Sequence, residues 1–260
     1  NIRLKPRSNT KTIRNTTNSS KYMPPLERKY DIINHTVSVA DVDQVQAFPI
    51  GMLFLPDGST CTASVINTPE SGNIGLTAAH CLYDDENHEY FDNIMFSPGY
   101  DHGQQGPLNL IPVEEAIVPD EFINNNDDQF DWGFMRFTFN MNGHPLQDFT
   151  GALGWRFNVG EGVETTIRGY PDGGDLEDCP NDGETLCTWD GEVFMHEFYF
   201  VPALDLGEGA SGSPYIMLYD PDTNLGWLYS TYIAYDDIND HANGPIYDPI
   251  QFQGLLGEII

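Results

Sequence analysis

Basic residues are scarce in this sequence and unevenly placed. Its 260 residues include 11 Lys and Arg against 40 Asp and Glu, a formal net charge of −29 at pH 7. Residues 1–29 hold eight of the basic residues and one acid, whereas residues 30–260 contain three arginines, 39 acids and no lysine. A body this acidic repels phosphate backbones and anionic headgroups. The composition therefore excludes nucleic acid and anionic membranes as partners, and it suits a salt-rich or acidic exterior.

Long hydrophobic runs are also absent. No stretch approaches 18 consecutive apolar residues, so we expect no transmembrane helix. The chain begins at Asn1 and shows no charged-then-apolar signal segment, so we expect that a signal was removed before it. Its length and its 40% of hydrophobic residues suit one large domain or two small packed domains.

The four cysteines lack the CxxC spacing of zinc and redox sites. Their even number favours disulfides, and Cys179 and Cys187 are predicted to close a small loop. Three Asn-x-Ser/Thr sequons favour a glycosylated, secreted protein when they are taken with paired cysteines. These sequons begin at Asn15, Asn18 and Asn34.

The spacing of apolar residues predicts an all-β protein. Residues 1–29 are polar and basic, and they are predicted to form a flexible extension or propeptide with a processing point at Arg28-Lys29. From residue 30 onwards, short runs rich in β-branched and aromatic residues recur every 8–15 residues between Gly, Pro, Asn and Asp. This pattern is typical of a sandwich or barrel. One closing helix is predicted over residues 248–260.

Three short segments carry the side chains of nucleophilic catalysis. His80 ends "LTAAH", Asp131 begins "DWGF", and Ser211 lies within "GEGASGSP". A serine hydroxyl needs an imidazole to take its proton and a carboxylate to fix the tautomer of that imidazole. Each residue alone has an ordinary structural interpretation, and it is their joint occurrence that points to a catalytic triad.

These segments resemble the signatures of chymotrypsin-like serine peptidases. "TAAHC", "DWGF" and "GASGSP" occur in that family's order, and the resemblance covers roughly residues 45–257. Ser-Gly-Ser-Pro, "IRGYPDG" (167–173) and "NGP" (243–245) are similar to segments of the glutamyl endopeptidase branch.

The resemblance implies two packed antiparallel β-barrels with the site between them. The first barrel would span residues 30–145 and the second, with the closing helix, residues 146–260. A disulfide between Cys61 and Cys81 would staple the histidine loop.

The resemblance also implies a role for each site residue. Ser211 would attack the peptide carbonyl and form an acyl-enzyme, His80 would act as general base and then general acid, and Asp131 would orient His80. The N–H groups of Gly209 and Ser211 would form the oxyanion hole. The expected partners are polypeptide substrates, the protein is expected to be a monomer, and no cofactor is required.

Ala210 departs from the trypsin-like pattern. Trypsin-like members have an aspartate here that pairs with a new N-terminal amine after cleavage, and alanine cannot form that ion pair. We therefore expect that activation of a zymogen, if it occurs, does not use this switch.

The cleavage specificity is left open between several alternatives. Asp205 stands six residues before Ser211, the offset of the trypsin-type pocket base, which selects Arg or Lys by charge. Ser230 and Tyr232 on the predicted pocket strand "LYSTYIAY" (228–235) are further substrate-binding candidates. That strand has no histidine, so a glutamate preference has little support. A structural role for Asp205 stays open, as does adaptation to salt or acid as the cause of the missing lysines.

Two acidic clusters leave calcium binding open, although solvated loops explain them better. They lie within residues 84–89 and 172–184. For the whole protein the alternatives to a secreted serine endopeptidase are a catalytically silent binding protein and a self-processing peptidase with glutamate or other specificity.

Overall fold

The computed structural model describes residues 36–39 and 48–260. The predicted extension over residues 1–29, its Arg28-Lys29 processing point and the three sequon asparagines lie outside the described residues. No helix in the described ranges is long and apolar enough to cross a membrane.

Strands dominate the described chain, with three α-helices among them. In chain order the strands are β1 (Thr36–Val39), β2 (Ile50–Phe54), β3 (Thr60–Val65), β4 (Ile74–Thr77), β5 (Tyr83–Asp84), β6 (Glu89–Tyr90), β7 (Met95–Pro98), β8 (Ile111–Ile117), β9 (Gly133–Phe137), β10 (Gly154–Trp155), β11 (Val163–Gly169), β12 (Cys187–Met195), β13 (Tyr199–Pro202), β14 (Pro214–Asp220), β15 (Leu225–Thr231), β16 (Ala234–Asp236) and β17 (His241–Gly244). The helices are α1 (Asp120–Asn125), α2 (Gln147–Thr150) and α3 (Pro249–Ile259).

Six strands of the first half form a closed antiparallel barrel in the order β2-β3-β4-β9-β8-β7. Closure leaves no strand edge exposed. Strand β3 is buried at every position, and Cys61, Ala63 and Val65 belong to the barrel core. The barrel therefore gives the residues that follow β4 and precede β9 a rigid support.

The second half forms a nine-stranded sheet rather than a barrel with closed hydrogen bonding. Its order is β10-β15-β14-β11-β12-β13-β17-β16, and β1 pairs with β12. Thr36 lies opposite Asp190 and Val39 opposite Cys187. Strand β1 thus joins the second sheet, although the sequence analysis placed its residues in the first barrel. A four-residue strand carries no local signal of its distant partner. The expected all-β fold with a short closing helix is confirmed.

Helix α3 joins the two halves. It begins with the Asp248 carboxylate accepting the N–H groups of Ile250 and Gln251 at 2.9 Å each, a typical N-cap. Its Phe252 is fully buried in a cluster that includes Trp132 of the first half and Ile216 and Leu228 of the second. The helix therefore packs against both halves at their junction.

Replacing Phe252 with alanine should destabilise the protein by about 3–5 kcal/mol, because it empties a site lined by aromatic rings. The ring centroids nearest to Phe252 are those of Phe134 at 4.8 Å, Phe157 and Tyr247 at 5.2 Å, Trp155 at 5.4 Å and Trp132 at 5.5 Å. Urea unfolding measures the change. The matched control on the same helix is Ile250→Ala, because Ile250 is 84% exposed and its loss should stay within about 0.5 kcal/mol. Equal losses for the two variants would contradict this packing.

Candidate active site

His80 sits on a single 3-10 turn, Ala79–Cys81, directly after β4. The neighbouring Cys81 forms a disulfide with Cys61 of β3, as the sequence predicted. The turn is therefore fixed from both sides, by the barrel strand before it and by the covalent link after it. His80 itself is 2% exposed.

Asp131 reaches His80 because β4 and β9 are paired. Thr77, three residues before His80, lies opposite Gly133, two residues after Asp131. The Asp131 carboxylate accepts two hydrogen bonds from His80, from the backbone N–H to Oδ1 at 2.9 Å and from the ring Nδ1 to Oδ2 at 2.7 Å. Asp131 is also 2% exposed. Strand register thus brings together two side chains that lie 51 positions apart.

The carboxylate sets the tautomer of the His80 ring. An ionised carboxylate only accepts hydrogen bonds, so Nδ1 must carry the hydrogen. In the neutral ring, Nε2 is then left with its lone pair and can accept a proton. The pair has the arrangement that a general base requires.

The Ser211 loop presents its backbone in an unusual way. Its carbonyl oxygens are held on the protein side: Thr62 Oγ1 donates to Gly209 O at 3.0 Å, Ser213 N–H donates to Ala210 O at 2.9 Å, and Thr62 N–H donates to Ser211 O at 2.8 Å. Every described peptide bond is trans, so each N–H points opposite to the carbonyl of its own peptide unit.

This arrangement leaves two N–H groups available to a ligand. The peptide carbonyls that precede Gly209 and Ser211 are bound to Asp172 N–H and to Ser213. Among the described residues, no protein acceptor binds the N–H of Gly209 or of Ser211. Both groups are therefore free to donate to a ligand, as an oxyanion hole requires. Gly209 and Gly212 have φ of 78° and 87°, a conformation that favours glycine.

The loop lies beside the histidine turn. Ser211 O is 3.9 Å from the sulfur of Cys81, the residue after His80, and it is bound by Thr62, the residue after Cys61. The structure therefore brings all three predicted triad segments to one place at the junction of the two halves.

Ala210 packs into the apolar core of the second half, where it is 1% exposed. Trp189, Leu206 and Ser213 line a small cavity with it. No carboxylate at position 210 is available to pair with an amine. The oxyanion loop must therefore be organised by other contacts.

Asp205 lies in a half-buried loop that is joined to a neighbouring loop. Its N–H donates to Asp175 Oδ1 at 3.0 Å, and its own Oδ1 accepts the Gly207 N–H at 2.8 Å. Burial raises the pKa of the Asp205 carboxyl, the Gly207 N–H opposes this, and the charge of Asp175 raises the pKa further. Burial also raises the pKa of the Tyr232 phenol, and the charges of Asp205 and Asp175 add to this effect. The charges of the two acids therefore act on the Tyr232 phenol.

Ser230 lies elsewhere. It is 0% exposed, and its hydroxyl donates to Pro245 O at 2.8 Å, which gives it a structural role between strands. Sequence reasoning also missed two residues near the site, Thr62 and Asp175. Thr62 stands in "CTAS", where only the cysteine attracted notice. Asp175 was one of many acids in an acidic loop.

The predicted small loop is closed by a disulfide between Cys179 and Cys187. His80 also lies near the sulfurs of Cys61 and Cys81, but those sulfurs form the other disulfide and cannot serve as thiolate ligands. In the acidic segment 84–89, Asp84 accepts the N–H groups of Glu86 and Asn87, which is an ordinary turn. Whether calcium binds there or at 172–184 stays open.

Solved protease structures share this fold. The protease Anisep from Arthrobacter nicotinovorans is 22% identical with a TM-score of 0.69, over 86% of this chain and 99% of that one. The thermostable serine protease AL20 from an extremophilic microorganism is 23% identical with a TM-score of 0.67, over 81% and 96%. A Glu endopeptidase in complex with MPD is 20% identical with a TM-score of 0.68, over 86% and 95%.

No protein-family model and no curated protein sequence matches the chain. The structural likeness confirms the chymotrypsin-like fold that the motifs predicted. At these identities the likeness shows the fold alone.

Replacing Gly212 with alanine should lower the free energy of unfolding by about 2 kcal/mol more than replacing Gly143 with alanine. Both glycines have positive φ, 87° and 85°, so both variants carry similar backbone strain. A β-carbon at Gly212 would collide with the Thr77 hydroxyl and the Thr62 carbonyl oxygen, whereas one at Gly143 meets nothing within 4 Å. Urea unfolding of the two variants tests this difference. Equal losses would show that the Ser211 loop is not packed against these threonines.

Proposed function

We propose that the chain is a serine endopeptidase with His80, Asp131 and Ser211 as its triad. The observation that carries the proposal is the buried His80–Asp131 pair beside a loop whose Gly209 and Ser211 N–H groups have no acceptor among the described residues. The names of the similar structures, which are proteases, support the same reaction class.

The proposed reaction follows from the tautomer of His80. Nε2 takes the proton of the Ser211 hydroxyl as the oxygen attacks a peptide carbonyl, and Asp131 stabilises the imidazolium that forms. The tetrahedral oxyanion is bound by the N–H groups of Gly209 and Ser211. His80 then protonates the leaving amine, the C–N bond breaks, and a water molecule hydrolyses the acyl-enzyme by the same steps.

The specificity that we propose is for Arg or Lys before the scissile bond. Asp205 N–H donates to Asp175 Oδ1, so the two acids lie side by side, and a substrate glutamate bound beside them would meet like charges. The absence of lysine from residues 30–260 is consistent with this preference, since the body would resist its own cleavage. One of the similar structures is named a Glu endopeptidase, which makes glutamate the alternative to test.

We further propose that the protein is secreted and glycosylated, as the two disulfides and the sequons suggest. Removal of residues 1–29 as a propeptide belongs to the same proposal.

A fluorophosphonate probe tests the nucleophile. The wild-type protein should be labelled and should cleave casein, while Ser211→Ala should do neither, because the attacking oxygen is gone. The matched control is Ser71→Ala, since Ser71 precedes β4 at the end of that strand opposite to His80, and its labelling should equal that of the wild type. A folded wild type that resists labelling would favour a catalytically silent binding protein.

Asp205→Asn tests the specificity. An amide oxygen can still accept the Gly207 N–H, so the loop should keep its shape while the charge is lost. We expect kcat/KM for Arg and Lys peptides to fall by roughly 10- to 150-fold, which corresponds to the free energy of one hydrogen bond to a charged group. A Leu peptide of the same length serves as control and should change little. Wild-type cleavage that clusters after Glu or Leu would contradict the proposal.

A further inference from the structure

Thr62 of β3 uses all of its polar groups near the site. Its N–H donates to Ser211 O at 2.8 Å, and its hydroxyl donates to Gly209 O at 3.0 Å. The hydroxyl also accepts the Tyr170 N–H at 3.2 Å, and the Thr62 carbonyl accepts the Thr77 hydroxyl at 2.7 Å. Thr62 is 0% exposed. The first two bonds connect the histidine-bearing barrel to the loop of the nucleophile. The third connects the barrel to Tyr170 of the second half, and the fourth lies within the barrel.

The hydroxyl of Thr62 controls a particular peptide plane. A threonine hydroxyl has one hydrogen to donate, and here it goes to Gly209 O. That bond fixes the peptide plane between Gly209 and Ala210, which lies between the N–H groups of Gly209 and Ser211. With positive φ and no side chain, Gly209 itself offers little resistance to rotation of the plane.

Other anchors of the loop do not replace this bond. Ser213 binds Ala210 O through its N–H and its hydroxyl, but Ser213 belongs to the same loop and moves with it. Ala210 has no charge with which to hold the loop. Asp172 binds the backbone of Glu208, but it lies in the same half of the fold as the loop. The Thr62 bonds alone among these start from the barrel that carries His80.

We propose that Thr62 is a positioning residue, whose hydroxyl aligns the oxyanion hole with His80 by holding the Gly209 carbonyl. The inference rests on the proposed peptidase activity. Thr62 touches no reacting atom and acts only through the loop.

Thr62→Val tests this role, since valine keeps the shape and the Thr62 N–H bond to Ser211 but lacks the hydroxyl. Misaimed donors weaken binding of the transition state more than that of the substrate. We expect kcat to fall roughly 10- to 100-fold with KM within about threefold, less than the 100- to 1000-fold for a donor removed outright. Affinity for a peptidyl aldehyde, which forms a tetrahedral adduct, should fall by the same factor.

Thr62→Ser should restore kcat to within about threefold of the wild type, because it restores the donor. The matched control is Thr165→Val, which removes a buried hydroxyl bound to Val163 O and Tyr229 in the second half. It should lower the unfolding midpoint comparably while leaving kcat and the aldehyde affinity unchanged. If Thr62→Val fails to fold, Thr62→Ala is measured against Thr62→Ser in its place.

The outcomes separate this inference from the proposed function. A wild type that neither reacts with fluorophosphonate nor cleaves peptides overturns the proposed function. An active wild type whose kcat survives loss of the Thr62 hydroxyl overturns the positioning role alone. The role is also overturned if Thr62→Ser is as slow as Thr62→Val, or if Thr165→Val loses as much activity.

Discussion

The buried hydrogen bonds between His80 and Asp131 are the constraint on which the rest of the site depends. A carboxylate removed from water is costly unless its oxygens are bound, and here both oxygens accept from His80, one from the ring and one from the backbone. The backbone bond means that the histidine turn cannot move without exposing the charge. Pairing of β4 with β9 and the Cys61–Cys81 disulfide hold the two ends of that arrangement.

The Ser211 loop belongs to the other half of the fold, so it has to be positioned correctly relative to His80 and Asp131. Packing at the junction contributes to this positioning, because Trp132, the residue after Asp131, packs against Phe252 of α3. The hydrogen bonds of Thr62 also contribute, since they hold the carbonyls of Ser211 and Gly209 directly. The aromatic packing around Phe252 fixes the relative position of the two halves, and Thr62 fixes the orientation of the peptide groups in the oxyanion hole.

The sequence predicted what short segments encode. His80, Asp131 and Ser211 stand in motifs of a few residues, and helix α3 follows from an Asp-Pro start and its apolar spacing. It could not predict the Thr62–Gly209 bond, which joins residues 147 positions apart and leaves no local pattern. The pairing of β1 with β12 could not be predicted for the same reason. The burial of Ser230 depends on strand register and not on residue type, so the sequence did not reveal it either.

The carbonyl groups of Gly209, Ala210 and Ser211 are held by neutral donors, and this bears on how the site is switched on. In trypsin-like members an ionised aspartate and a protonated amine organise the equivalent loop, so its geometry depends on a cleavage and on pH. Here Ala210 is apolar and buried, and the bonds to the carbonyls come from hydroxyls and N–H groups that keep their hydrogens over the physiological range. Such a loop does not require a new N-terminus to take its shape.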